Sequence, residues 1–222
     1  KVFFFKRTLR EAAIRHDMFA TFMAKPMQDE PGSAMHIHQS IVDAVTGKNI
    51  FSNDDGTHSK EFMHYIGGLQ KYMPLAMALV APYVNSYRRI TKHTAAPINV
   101  QWARDNRTVG LRVPDSSPAN RRVENRVVGS DANPYVALAV TLACGYLGIK
   151  NKIDPSAEVV GAVNGLDFEL PRSMGEALTA LRECPELHEV LGPQFVKVYL
   201  AVKEAEYEEF MKVISPWERE NL

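Results

Sequence analysis

The segment from residue 131 to 151, DANPYVALAVTLACGYLGIKN, constrains the fold more strongly than any other part of the sequence. Asp131 or Asn133 can cap the start of a helix here, and Pro134 stands at the first helical position, where proline is well tolerated. Most of the residues that follow are apolar, which predicts a helix buried in the core. Because its middle is rich in Ala and Gly, we expect this helix to pack closely against other backbone.

Composition limits the class of protein. The 222 residues are 45% hydrophobic and 23% charged, which is typical of one large globular domain or of a domain with an appendage. Lys plus Arg and Asp plus Glu both number 26, so the net charge gives no support for a nucleic-acid or membrane partner. Cys144 and Cys184 are far apart and form neither a disulfide framework nor a metal-binding pair, which fits a reducing compartment. No apolar stretch is long enough to span a bilayer, and the initial KVFFF is too short for a signal peptide, so we expect a cytoplasmic protein.

The stretch GSAMHIHQS, residues 32–40, predicts a strand with two different faces. In an extended chain His36, His38 and Ser40 point to one side, while Met35 and Ile37 point to the other side and can be buried. Two histidines on an exposed strand are often only part of a solvated face, so the pair alone is a weak indication of a metal site. One His together with carboxylates is the more plausible set for a Mg²⁺-type ion, which prefers oxygen ligands.

Residues 88–126 hold eight of the chain's 14 arginines, a concentration that suits a polyanion. In RVENR, the side chains of Arg122, Glu124 and Arg126 alternate and would share one face of a strand. An acid between two arginines fits a site in which Glu124 holds a divalent cation that touches a phosphate, while the arginines bind the other phosphate oxygens. A solvated basic face and a structural ladder of ion pairs remain as alternatives.

Nucleic acid is the other polyanion to consider for this arginine-rich segment. Nucleic-acid sites interleave basic residues with aromatic rings that stack on bases, and here only Tyr87 and Trp102 offer such rings. Together with the neutral net charge, this favours a small-molecule partner and no nucleic acid.

Four segments carry a family resemblance: AKPMQDEPGSAMHIHQS, NSYRRI, NRTVGLRVP and RRVENRVVGSDANPY. Their order and spacing resemble the C-terminal catalytic domain of the glutamine synthetase family. The resemblance implies an α+β fold, in which a curved antiparallel sheet carries the His and the Arg/Glu strands and is backed by helices. Residues 1–222 would be part of this domain, with 155–222 as its helical C-terminal part. The family's N-terminal β-grasp domain and upstream catalytic strands are missing, and since the sequence starts at Lys1 we expect a piece of a longer protein.

The resemblance also implies roles for individual residues. The residues implied as ligands of a divalent metal ion, Mg²⁺ or Mn²⁺, are His36 and Glu124. The residues implied for binding ATP are His38, Ser40, Arg107, Arg112 and Arg122. The residues implied for binding the substrate glutamate are Gly32, Arg89 and Arg126, and those implied for catalysis are Arg107 and Arg126.

The reaction that the family implies is the ATP-dependent ligation of glutamate to an amine. ATP phosphorylates the γ-carboxylate to give γ-glutamyl phosphate, and the amine then displaces phosphate and leaves an amide. Arginines and metal ions neutralise charge on the transferring phosphoryl group, so little covalent work falls to the protein. A guanidino kinase would also use arginines on ATP, but the MHIH and ANPY segments do not suit it.

Two departures from the family pattern bear on the amine. Members that use ammonium usually carry NGSGMH, whereas this chain has Pro31 and Ala34 in PGSAMH. They also carry a flap GYEAP whose Glu binds and deprotonates ammonium, whereas the aligned HTAAP has Ala95 at that place. The pattern is more similar to the γ-glutamylpolyamine (γ-glutamylputrescine) synthetase branch, where loss of a carboxylate would make room for an alkyl chain. An ammonium-dependent glutamine synthetase and a non-catalytic structural relative are the alternatives.

Assembly is also implied by the resemblance alone. The full-length protein would be a homo-oligomer with sites between subunits, a dodecamer of two stacked hexamers. Because upstream carboxylates and the neighbouring subunit complete the family's site, we expect these 222 residues alone to bind nucleotide weakly and not to turn over.

Overall fold

The structure is a computed structural model that describes residues 1–92, 94–163, 167 and 169–222. Within these residues the helices are α1 (Val2–Ile14), α2 (Lys60–Tyr72), α3 (Met77–Val80), α4 (Val84–Tyr87), α5 (Pro134–Lys150), α6 (Met174–Arg182), α7 (Pro185–Leu191), α8 (Pro193–Met211) and α9 (Pro216–Asn221). The strands are β1 (Ile37–Gln39), β2 (Trp102–Arg104), β3 (Leu111–Val113) and β4 (Val123–Asn125).

The predicted buried helix is α5, and it is capped by Asn133. The Asn133 side chain accepts a hydrogen bond from the Tyr135 backbone N–H at 3.0 Å, whereas Asp131 takes no part in the cap. The helix packs against α2 at very short range: a Cβ on Gly148 would lie 2.1 Å from the His64 carbonyl oxygen and 2.6 Å from Gly68 Cα. The expectation of close backbone packing is therefore confirmed.

The burial of α5 is one-sided, which the sequence did not indicate. Its side toward α2 and the sheet carries Val140 and Cys144, both fully buried. The opposite side carries Leu138, Leu142 and Tyr146, which are about half exposed. An all-round apolar helix thus presents an uncovered apolar face within the described structure.

The segment KEFMHYIGGLQKYMPLAMALV, residues 60–80, predicts one helix with Ser59 as its cap, but Pro74 divides it. Ser59 caps α2 by accepting a hydrogen bond from the Phe62 N–H at 3.1 Å. The helix ends at Tyr72, a 3₁₀ turn covers Pro74–Ala76, and α3 follows. The division is expected physically, because proline lacks the N–H of the helical hydrogen bond and its ring clashes with the preceding turn.

The sheet has the strand order β1–β4–β3–β2 and is mixed. Two of its strand pairs, β1–β4 and β3–β4, are antiparallel as expected, but β2 and β3 run parallel, so the prediction of a wholly antiparallel sheet is wrong at this pair. Residues 105–110 return the chain to the starting end of β2 and begin at Asp105, whose φ is +48°. The α+β class is retained.

The two faces of the sheet have different environments. Leu111, Asn125 and Ile37 stand opposite one another across β3, β4 and β1, and all three are buried. They belong to the face covered by the main core, to which α2 and α5 also contribute. The other face is free for polar side chains, and it carries the candidate site.

The C-terminal region is helical from residue 174, where α6 begins, to residue 221, where α9 ends. The residues from 155 to 173 that the structure describes contain no helix. Nowhere in the described chain does a helix combine the length and apolarity required to cross a membrane. Cys144 and Cys184 are free thiols, and both are buried.

Candidate active site

The centre of the candidate site is a row of side chains across three strands. Glu124 stands directly opposite His38 on β1 and directly opposite Arg112 on β3. Directly opposite residues in an antiparallel pair project to the same face, so the three side chains lie together. The predicted alternation is confirmed: Ile37 and Val123, which flank this row, are buried in the core.

Glu124 is the shared partner of both arginines and both histidines. One of its oxygens lies 2.8 Å from Arg112 Nη1. The other lies 3.0 Å from Arg126 Nη1, 2.9 Å from His36 Nδ1 and 3.9 Å from His38 Nε2. The carboxyl group is itself buried, with Glu124 only 3% exposed. A buried carboxylate with four basic neighbours is a concentrated charge centre.

The charge state of this centre follows from its neighbours. Burial alone would raise the pKa of Glu124, but the hydrogen bond from Arg112 and the charge of Arg126 oppose it, and the pKa lies below its usual value. Burial, reinforced by nearby arginines and opposed by Glu124, lowers the pKa of both His36 and His38. The site therefore combines an ionised carboxylate with neutral imidazoles, the forms that bind metal ions.

The other residues implied for nucleotide binding differ in how the structure places them. Arg122 Nε donates to His38 Nδ1 at 3.3 Å, so Arg122 belongs to the network. Ser40 follows β1 and is exposed, and Arg107 lies in an exposed turn between β2 and β3. Neither side chain contacts the Glu124 network through a hydrogen bond or ion pair within the described structure.

A cavity of about 630 Å³ lies beside this network. His36 and Arg126 line it and also contact Glu124, while Gly32, Arg89 and the flap residue Ala95 line its other walls. Gly32 is required for space, since a Cβ there would lie 2.6 Å from Arg89 Cγ and 2.8 Å from the Ala24 carbonyl oxygen. The structure thus brings the three residues implied for glutamate binding into one cavity.

Two arginine side chains that line this cavity have N–H groups without a hydrogen-bond partner among the described residues. Arg89 is 5% exposed; its Nη2 donates to the Val127 carbonyl oxygen, and its Nε has no hydrogen-bond partner among the described residues. Arg126 Nε is likewise buried and unpartnered. Buried donors that lack partners are costly unless a ligand pairs with them. This arrangement suits an anionic ligand such as a carboxylate.

The donor set fits a divalent metal ion in part. His36 and Glu124 place a nitrogen and an oxygen 2.9 Å apart on the exposed face of the sheet. No group of three or more His, Cys, Asp or Glu side chains in the described part of the chain forms a complete metal site. The remaining ligands would have to come from water, substrate or other polypeptide. The ion-pair alternative explains the contacts of Glu124 with Arg112 and Arg126, but it does not account for His36 at the same oxygen.

Some residues of the site were not identified from the sequence. Asp105 accepts from Arg112 Nε at 3.2 Å and so fixes its guanidinium from the side opposite Glu124. Asp105 was visible only as one acid in an arginine-rich segment, and no spacing rule pairs it with Arg112. Thr91 and Thr94 also line the cavity.

Tyr87 and Trp102 are the two aromatic residues considered above for stacking on nucleic-acid bases. Both are buried, and Trp102 Nε1 donates to the Ser156 carbonyl oxygen at 2.8 Å, so neither ring is available for stacking on a base.

Comparison with known proteins assigns the family. The family described as "Glutamine synthetase, catalytic domain" matches residues 1–222. The chain belongs to the glutamine synthetase family. It is 40% identical over 218 residues to gamma-glutamylputrescine synthetase PuuA of Escherichia coli (strain K12), a match that covers 97% of this chain and 46% of that protein. It is 37% identical over 220 residues to the glutamine synthetase of Thermococcus kodakarensis, covering 95% and 49%.

A solved structure confirms the fold. The structure titled "Apo GmaS without ligand" superimposes with a TM-score of 0.87 at 31% identity, covering 98% of this chain and 51% of that chain. The glutamine synthetase catalytic-domain fold expected from the sequence is therefore present. The chain spans about half the length of the curated relatives it matches.

Proposed function

We propose that the protein containing this chain is an ATP-dependent ligase that joins the γ-carboxylate of glutamate to an amine larger than ammonium. The observation that carries the choice of amine is Ala95, which lines the cavity shared by Arg89 and Arg126. A methyl group there leaves room for an alkyl chain and offers no carboxylate to bind ammonium. Asp29 and Glu30 also line the cavity, beside Lys25, and offer carboxylates to a cationic acceptor once the substrate carboxylates pair with Arg89 and Arg126.

In this proposal the described residues bind the substrates and neutralise negative charge on them, and none of them forms a covalent bond to a substrate. Arg89 and Arg126 bind the carboxylates of glutamate. Gly32 has no side chain, so its backbone can lie close to the glutamate carboxylates. Transfer of the γ-phosphoryl group of ATP to the γ-carboxylate gives γ-glutamyl phosphate, and attack by the amine nitrogen on its carbonyl carbon expels phosphate. Arg107 and Arg126 would offset the charge that develops during these two steps.

Nucleotide and metal are assigned to the Glu124 side of the site. Arg112, Arg122, His38 and Ser40 would bind ATP phosphates and ribose or base. His36 and Glu124 would hold Mg²⁺ or Mn²⁺, which would offset negative charge on the phosphate oxygens. Asp105 and Glu124 accept from Arg112 Nε, Nη2 and Nη1, which fixes the guanidinium and leaves one further N–H on each Nη atom for a phosphate oxygen.

Assembly and location are proposed from the family alone. Residues 1–222 would form part of the catalytic domain, with residues 174–221 as its helical end, within a cytoplasmic homo-oligomer, a dodecamer when full length. Other polypeptide would complete the metal site, because the described residues supply only part of a ligand set.

The test is phosphate release by the full-length protein with ATP, Mg²⁺ and glutamate, with ammonium, putrescine or ethylamine as the acceptor. We expect kcat/KM for an amine to exceed that for ammonium by about tenfold or more, corresponding to about 1.4 kcal/mol. Ala95→Glu should raise ammonium use and lower amine use. Ala96→Glu, which adds the same charge to the next lining residue, is the matched control and should not increase ammonium use.

The outcomes separate the three candidate functions. Preference of the unmodified protein for ammonium would identify a glutamine synthetase and show that Ala95 does not select the acceptor. Absence of phosphate release with every acceptor, in protein that is folded and assembled, would identify a non-catalytic relative.

A further inference from the structure

Asp131 is a partly buried acid outside the Glu124 network, and its carboxylate contacts the helix that precedes Arg89. Ser86 Oγ, in the single-turn helix α4, donates to Asp131 Oδ2 at 2.6 Å. The same hydroxyl accepts from the Tyr83 N–H at 3.1 Å, which closes the start of α4. Arg89 lies two residues beyond the end of α4, and its N–H donates to the Ser86 carbonyl oxygen at 3.2 Å. Asp131 is therefore connected to the Arg89 backbone through one serine.

The surroundings of Asp131 are shaped to admit its carboxylate. A Cβ on Gly129 would lie 2.3 Å from Asp131 Oδ1, so a larger residue at 129 would displace that oxygen. Oδ1 is buried and has no hydrogen-bond partner within the described structure. Asn133, and not Asp131, caps α5, so the acid is not explained by the helix start.

The buried positive charge of Arg89 requires a nearby negative charge. That negative charge must not form hydrogen bonds with the Arg89 N–H groups if these are to bind a ligand. Its guanidinium is buried, Arg126 lies on the same cavity wall, and no described carboxylate forms an ion pair with Arg89. Burial lowers the pKa of Arg89 to about 10, the charge of Asp131 opposes that effect, and Arg126 adds to it. The charge of Asp131 thus stabilises the cation without forming an ion pair with it, and Arg89 Nε keeps no hydrogen-bond partner among the described residues.

We propose that Asp131 is a positioning residue for Arg89: it anchors the α4 turn through Ser86 and supplies the counter-charge of the Arg89 guanidinium, so that Arg89 stays free to bind the substrate carboxylate. This inference rests on the proposed function, in which Arg89 binds glutamate. Lys6, whose Nζ donates to the carbonyl oxygens of Ser130 and Ala132, holds the Asp131 backbone from the other side.

The test compares Asp131→Asn, Ser86→Ala and Asp131→Glu in the full-length protein. Asp131→Asn keeps the shape of the side chain and removes its charge. We expect the Kd for glutamate, measured by calorimetry without turnover, to rise about tenfold, with the Kd for ATP changed less than about twofold. Ser86→Ala keeps the charge and should raise the Kd for glutamate by about twofold to threefold. Asp131→Glu restores the charge and should recover part of the affinity.

The result that overturns the inference is an unchanged Kd for glutamate in Asp131→Asn, even if its melting temperature falls, because a purely structural acid would lower stability without selecting one ligand. Equal weakening of glutamate and ATP binding would overturn it too. If the unmodified protein binds no glutamate at all, the proposed function fails instead, so the two failures are distinguishable.

Discussion

The contact between α2 and α5 gives a quantitative test of the fold. Gly148→Ala adds one methyl group where three backbone atoms already lie within van der Waals distance: the His64 carbonyl oxygen at 2.1 Å, and Gly68 Cα and N at 2.6 Å. Backbone atoms of a packed helix cannot rotate away as a side chain can. The two helices must therefore separate, which disturbs the core on both sides of the contact.

The magnitude follows from two opposing terms. Overpacking of a close-packed core destabilises proteins by about 1–3 kcal/mol, and contacts with backbone justify the upper end, about 3 kcal/mol. Replacing Gly by Ala within a helix stabilises the folded protein by about 1 kcal/mol, because Ala has the higher helix propensity. We expect a net loss of about 2 kcal/mol in the free energy of unfolding. For a domain of this size that lowers the melting temperature by about 4–8 °C.

Gly175→Ala is the matched control for this measurement. Gly175 also lies inside a helix, α6, but a Cβ there would meet the Tyr207 ring at 3.4 Å, an ordinary contact. The control should be neutral or stabilising by up to about 1 kcal/mol. Thermal unfolding followed by far-UV circular dichroism compares the two variants. A melting temperature of Gly148→Ala equal to or above that of the unmodified protein would refute the close packing of α2 and α5.

Two further predictions concern the site and the thiols. Glu124→Gln should weaken Mn²⁺ binding by more than about 100-fold, since loss of an outer partner of a metal ligand alone typically costs 10–100-fold. Isothermal titration calorimetry checks this, and the control Glu158→Gln, which removes the partly buried ion-pair partner of Arg104, should leave Mn²⁺ affinity unchanged. Burial raises the pKa of both Cys144 and Cys184, so the reactive thiolate is scarce at pH 8 in the folded protein. A thiol-specific reagent such as DTNB should therefore react with both cysteines only after unfolding, and rapid reaction in the native protein would contradict the burial.

Local sequence patterns were sufficient to predict several structural features of this protein. Caps at Ser59 and Asn133 are decided by hydrogen bonds within a few residues, so the sequence locates them, whereas the break of the predicted helix at Pro74 was missed. The two faces of the β1 and β4 strands follow from a period of two and could be assigned without knowing the partner strands. The family motifs added the expected roles of the site residues.

Other features depend on residues far apart in the chain. The parallel pairing of β2 with β3 was not predicted, because strand direction depends on how residues 105–110 return the chain. The pairing of Asp105 with Arg112 follows from that same connection. The uncovered side of α5 was also missed, since an all-apolar helix carries no pattern that distinguishes its covered side from its exposed side.

The sequence by itself determined which side chains share a face, where α2 and α5 begin, and the family to which the chain belongs, because these are properties of local spacing and of long motifs. Only the tertiary structure decided that Glu124 meets His36, Arg112 and Arg126 at one point, and that Asp131 turns to Ser86 instead of capping α5. The physical reason is that register between distant strands and helices is set by packing of the common core, in which Ile37, Leu111 and Val123 take part. Polar groups on the opposite face then meet wherever that packing places them.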